Sequence, residues 1–418
     1  MRARIGAVVI FGILLTVRGL IGAEIGGVGL PAPLLNQANT LRDRGDTIDR
    51  EGSARRALEM GFPSVAAGLY GELVAEAPAG DRQDRLLLNW SVALMEDNQV
   101  DQAAAALQRM GDKSGSRVDL RLGLIAMSRN DVDAAETLLA RVQVTALPAA
   151  ERPWFHYLVG SIADANGQPE LARRSFRNAI ATSTSVLQRA RFELADFHST
   201  WQVSAPTEAQ ADRLLRNIQD HAGERIGYES IKRYVAVLAA LGREVEAIAF
   251  LQNQLLALPA AELVVQDDFR LLLGVMAGAD SGIGRTVLMR LLIDGTGRQK
   301  QRIALRLLAR DSRSMVQRVE LRNELTRLLD RDPPHPIEQD LLLYRAQLAP
   351  DEGAATRDAL ALLERFPASD LRPTALGILV SAAWNERRFR SAASYATQAR
   401  QELAGNSPEI RAQLGVLQ

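Results

Sequence analysis

The sequence predicts an all-α chain of stacked helix pairs, and three observations predict it. Alanine and leucine dominate a composition with only 5% aromatics, a balance that favours helix over strand. Small residues recur at intervals of 32 to 39 through much of the 418-residue chain, the sign of a repeated unit. A bulky residue follows each of them about four positions later, on the same helix face, and Gly or Asn precedes most of them by about five.

In chain order, residues 1–23 read as a secretory signal peptide. Arg2 and Arg4 give a positive start, Ile5 to Val17 form a 13-residue apolar stretch, and Gly22 and Ala23 offer a cleavage site. The alternative is an uncleaved anchor, but 13 residues fall short of the roughly 20 that a spanning helix needs. Residues 24–49 are expected to be a linker or N-terminal capping segment. They contain the tripeptide Arg44–Asp46, read as a solvated turn among alternating charges.

The first clear unit is EMGFPSVAAGLYGELVAEAP, with Gly61, Ala66, Tyr70, Leu73 and a closing Pro78. Asn98, Ala103, Leu107 and Met110 repeat the spacing, as do Gly123, Asn130, Ala135, Leu139 and Val142. Gly160, Gly167, Ala172, Phe176 and Ala179 follow, then Gly242, Ala247, Leu251 and Pro259. Near the end Ala355 leads to Pro367, and Phe389, Ala392, Ala396 and Ala399 make another unit. Two degenerate units centred near Gly284 and Glu320 fill the interval between Pro259 and Ala355, so residues 50–259, 260–334 and 335–403 together hold about ten helix pairs. Residues 404–418 read as a C-terminal capping helix or a further repeat cut short. A small residue inside each second helix lets two helices approach closely, and Gly or Asn between them accepts the left-handed conformation that ends the first.

These residues resemble the tetratricopeptide repeat family, most closely at Ala172-x₃-Phe176 and Ala66-x₃-Tyr70. The resemblance implies a right-handed superhelix, an α-solenoid, with ligands along a concave groove lined by first helices. Carried over by position, that groove holds Arg85, Leu88, Met95, Arg117, Leu120, Met127, Trp154, Tyr157, Ser161, Asp164, Glu229 and Lys232. Trp154 and Tyr157, at i and i+3, share a face as either binding anchors or core. The repeated lysine and asparagines with which some family members clamp a peptide carboxylate are not present.

Other stretches bear on chemistry. GADSGIGRT, Gly278 to Thr286, imitates a phosphate-cradling loop, but Ala279 replaces the first glycine and Arg285 the lysine, within a helical period. An inter-helix turn is the expectation. Glu229-Ser230 is similar to the Glu-Ser that opens the catalytic region of lytic transglycosylases, without that family's downstream glycine- and glutamine-bearing stretch. From Arg285 to Arg331 twelve basic residues face five acidic ones, and Arg298, Arg302, Arg306 and Arg310 form a helical stripe suited to an anionic partner or to a solvated face.

Fifty basic residues balance fifty acidic ones, so no global field draws nucleic acid. Only Lys113, Lys232 and Lys300 are lysines, so the arginines reflect a compositional bias. The absence of cysteine excludes disulfides, thiolate metal sites and cysteine nucleophiles, and the four histidines are scattered. No catalytic residue, metal or cofactor is therefore expected. The expected role is a non-catalytic protein-binding scaffold in the bacterial envelope, periplasmic or outer-membrane-associated, with other envelope proteins as partners and no span after signal cleavage. A peptidoglycan-cleaving enzyme and a component of polysaccharide export are the alternatives.

Overall fold

The computed structural model describes residues 49–403, which are all-helical and contain no strand. The expected signal peptide, the tripeptide Arg44–Asp46, the rest of the 24–48 stretch and the segment 404–418 lie outside the described residues. Among those described, none of the helices is long and apolar enough to cross a membrane.

Twenty α-helices are described. They run α1 (Arg50–Glu59), α2 (Pro63–Glu76), α3 (Asp81–Glu96), α4 (Val100–Gln108), α5 (Ser116–Ser128) and α6 (Val132–Leu139). Next come α7 (Arg152–Ala165), α8 (Pro169–Thr182), α9 (Val186–Val203), α10 (Glu208–Asp220), α11 (Arg225–Ala240), α12 (Glu244–Ala257), α13 (Leu263–Ala277) and α14 (Gly282–Asp294). The last are α15 (Arg298–Asp311), α16 (Met315–Leu329), α17 (Glu338–Gln347), α18 (Glu352–Arg365), α19 (Arg372–Asn385) and α20 (Phe389–Leu403). The chain divides into two compact units at Gly242/Arg243. Within each unit helices that neighbour in sequence pack in that order, the stacking of an α-solenoid.

Two kinds of turn join the pairs. At Gly61, Asn98, Asn130, Gly167, Gly242, Gly278 and Arg387 the chain takes positive φ. Five of these turns close with a six-to-one backbone bond, such as Gln168 N to the Ala163 oxygen at 2.8 Å. The α9–α10, α15–α16 and α17–α18 connections instead use extended caps, Thr207, Ser314 and Asp351, whose side chains accept from the next helix's first turn.

The small residues of the second helices occupy the core. Ala66, Ala103, Ala135, Ala172, Ala211 and Ala247 are buried, as are Gly284, Ala355 and Ala392. Close approach is also enforced from the first helices: a Cβ on Gly160 would stand 2.7 Å from the Phe176 ring, so that pair meets only because Gly160 has none. The core is a chain of overlapping clusters. In unit 1 one cluster joins Ala54 to Ile125 and the next joins Leu120 to Phe192; in unit 2 the clusters join Leu271 to Leu341 and Leu342 to Ala399. Within each of these clusters neighbouring pairs thus complete one another's apolar faces.

One pair departs from the sequence expectation. Near Glu320 the buried position is Leu321, and Glu320 itself is exposed. There α15 and α16 touch each other little, packing mainly on their other neighbours.

Candidate functional site

In unit 1 the first helices carry a buried ionic network where an open groove is expected. Glu151 ends a turn from Pro148 and stands just before α7. From α5, Arg117 Nε donates to its Oε1 at 2.8 Å, and Arg121 Nη2 lies 3.2 Å from its Oε2. Arg121 is fully buried, and burial lowers its proton affinity below the ordinary arginine range. Burial pushes the Glu151 carboxyl up, but the two guanidiniums outweigh it and hold it below the usual carboxylate range. Glu96, at the end of α3, shifts the other way. Burial raises it against the pull of Arg191 and Arg121.

The fifth first helix, α9, packs against this network. Arg191 Nη2 donates to the Glu96 main-chain oxygen at 2.9 Å, and its guanidinium lies 5.4 Å from the Trp154 ring centre. Phe192 stacks edge-on against Trp154 at 5.2 Å and lies 5.1 Å from Tyr157. A Cβ built on Gly61 would sit 3.9 Å from Leu187 Cβ, so α9 also approaches the turn of the first pair.

These contacts show where the residues expected along the groove lie. Of the two readings of Trp154, binding anchor or core, the geometry is that of core: it is 4% exposed, with α9 covering that face. Tyr157 is half-buried between Phe176 and Phe192, and Arg117 is committed to Glu151 and Asn89. Asp164 accepts from Ser199 at 2.6 Å and Gln202 at 3.3 Å, both on α9. Arg85 is exposed, 3.7 Å from Glu51. The sequence signal for α9 was modest: an 18-residue helix bearing Phe192, Phe197 and Trp201.

Glu229 and Lys232 sit one turn apart on α11 and form an ion pair of 2.6 Å. Burial pushes the Glu229 carboxyl up, but Lys232, Arg233 and Arg225 hold it below the ordinary range. A general acid for glycoside cleavage needs the opposite shift.

The glycine-rich stretch is a turn that runs into the first turn of α14. Helix α13 precedes it, Gly278 takes φ +79°, and Ser281 caps α14 by accepting from Gly284 N at 2.9 Å. A Cβ on Gly284 would lie 2.0 Å from the Gly278 oxygen, which explains that glycine without a phosphate. Arg285 donates to Gln317 O at 2.8 Å and pairs with Glu320 at 2.9 Å.

The arginine stripe lies along α15 but is partly neutralised. Arg302 pairs with Asp340 at 2.9 Å and Arg310 with Asp311 at 2.8 Å, while Arg298 and Arg306 are exposed.

An open cleft of about 570 Å³ lies in unit 2, between the α17–α18 turn and α19. Its floor is one face of a first helix: Thr374, Gly377, Ile378, Ser381 and Asn385. Gly377 meets nothing within 4 Å at its Cβ position, so the notch it leaves opens to solvent. Asp351 and Glu352 supply carboxylates at the rim, and Asn385 Nδ2 donates to Glu352 at 2.8 Å. Sequence reasoning missed this face because Thr374, Gly377 and Ser381 are small, and their only signal is recurrence at helical spacing. Among the described residues no group of three or more histidines or carboxylates is placed to hold a metal ion. No protein-family model and no curated protein sequence matches the chain.

Proposed function

We propose that the protein is a non-catalytic scaffold of tetratricopeptide-like helix pairs that holds other proteins in the bacterial cell envelope. The observation that carries this reading is the cleft on α19: an open first-helix face with small residues as its floor, of a size to accept side chains of a partner. The export-signal layout of residues 1–23 supports the location. The paired and acid-shifted Glu229 supports structure rather than bond cleavage at that position. The docking face assigned here belongs to unit 2, not to the Trp154 region, whose aromatic surface is already used by α9.

The test is Gly377→Leu. The added side chain enters empty space, so the helix should fold at least as well, while the notch is filled. Partners cross-linked to the tagged wild-type chain in envelope fractions and identified by mass spectrometry should disappear from the variant. Partners retained at full yield would remove the cleft from the function. Recovery of sugar polymer in place of protein would move the reading to polysaccharide export.

A further inference from the structure

We propose that unit 2 docks on an anionic bilayer surface through the start of α16. Met315 and Val316 are 75% and 77% exposed and Val319 is 50% exposed. Single exposed apolar residues are ordinary. Met315, Val316 and Val319 stand together at the start of α16, and Arg285 of α14 reaches this turn through Gln317 O and Glu320.

Two further observations say what covers it. The first is charge. Arg313 and Arg318 are exposed beside the apolar residues, and the nearby acids are already offset, Glu320 by Arg285 and Asp311 by Arg310. The patch therefore offers surplus positive charge around an apolar tip, which complements lipid headgroups of negative charge over acyl chains. The second is backbone satisfaction. Ser314 Oγ accepts from Gln317 N at 3.1 Å, and Gln317 Oε1 accepts from Ser314 N at 3.3 Å and Arg313 N at 3.2 Å. The capping box thus pairs the Arg313, Ser314 and Gln317 N–H groups beside the apolar residues, donors that would be costly to carry unsatisfied into an apolar boundary. A shallow, protruding patch of this kind suits a surface rather than a cleft-bound side chain. The inference does not depend on the α19 cleft.

The chain contains no cysteine, so Val316→Cys provides a single thiol for an environment-sensitive dye at an exposed position. The intact chain carrying that label is mixed with phosphatidylcholine vesicles, with and without phosphatidylglycerol. Emission should shift to the blue only with the anionic vesicles and return in high salt. A label at Lys113→Cys, exposed in unit 1, should not move, which separates this contact from any made by the apolar N-terminal stretch. Arg313→Gln with Arg318→Gln should weaken the response roughly thirtyfold in lipid concentration. An unmoved label, or one that responds equally to neutral vesicles, overturns the proposal. So does a shift that grows with protein concentration without lipid, which would assign the patch to a second copy of the chain.

Discussion

Arg191 donates to the main-chain oxygen of Glu96 at 2.9 Å, across 95 positions of the chain. In a strictly nearest-neighbour array, a contact of that span has no place. Here it ties the fifth first helix to the second, at the C-terminal end of α3, where a cation is favoured by the helix dipole. The guanidinium also lies against Trp154. Arg191→Met keeps the stem and removes the charge, and should cost about 2 kcal/mol through the lost charged hydrogen bond and ring contact. Amide exchange should accelerate in α3 and α9 together. Acceleration confined to α9 would show that the bridge carries no coupling.

The two buried carboxylates of this network should respond oppositely to pH. Glu151 is held below its ordinary value, so its contribution is present above the unfolded pKa of about 4.3 and is lost as pH falls through the lower folded value. Glu151→Gln leaves Arg121 buried without its main partner and should cost about 3–5 kcal/mol at neutral pH, the gap closing in acid. Glu96 is raised by burial, so its contribution is present below the unfolded value and is lost as pH rises through the folded one. Glu96→Gln should therefore equal the wild type in acid and exceed it at neutral pH. Urea unfolding across the pH range checks both slopes.

Much of the fold was legible because its rule is local. A small residue recurring in second helices needs only the sequence to be seen, and Ala66, Ala103, Ala135, Ala172 and Ala247 all fell in the core. Asn98 and Asn130, standing where other turns have glycine, took the left-handed conformation with φ of 63° and 61°. The site was less legible, for a physical reason. No periodicity reports that α9 returns to Glu96, so Trp154 could be placed on its helix face but not beneath another helix. The cleft on α19 is made by side chains that are absent, and missing volume has no motif.

Two first-helix glycines should behave oppositely. At Gly160 a Cβ would press on the Phe176 ring at 2.7 Å. Overpacking of this kind costs about 1–3 kcal/mol, more than the roughly 1 kcal/mol of helix propensity that alanine gains. Gly160→Ala should destabilise, and Phe176→Leu added to it should restore part of the loss. Gly377→Ala meets nothing within 4 Å and should stabilise by about 0.5–1 kcal/mol. Denaturation midpoints moving in the same direction for both would refute the packing account.

Arg387 occupies the turn position that glycine or asparagine fills in the six other helix pairs joined by a left-handed turn. Its φ is +60°, and the turn closes with Arg388 N donating to Ala383 O at 2.7 Å and Arg387 N to Trp384 O at 2.9 Å. The hydrogen bonds are those of a helix-ending motif that glycine satisfies without a Cβ clash. For arginine the same backbone costs about 1 kcal/mol. Arg387→Gly should recover that amount, since the native conformation already demands what glycine adopts freely. Arg387→Asn should recover part of it, and Gly167→Ala, the reverse change at φ +68°, should lose a similar amount. Thermal unfolding of the three variants decides the point: an Arg387→Gly midpoint at or below the wild type would mean that contacts of the arginine side chain outweigh the strain in its backbone.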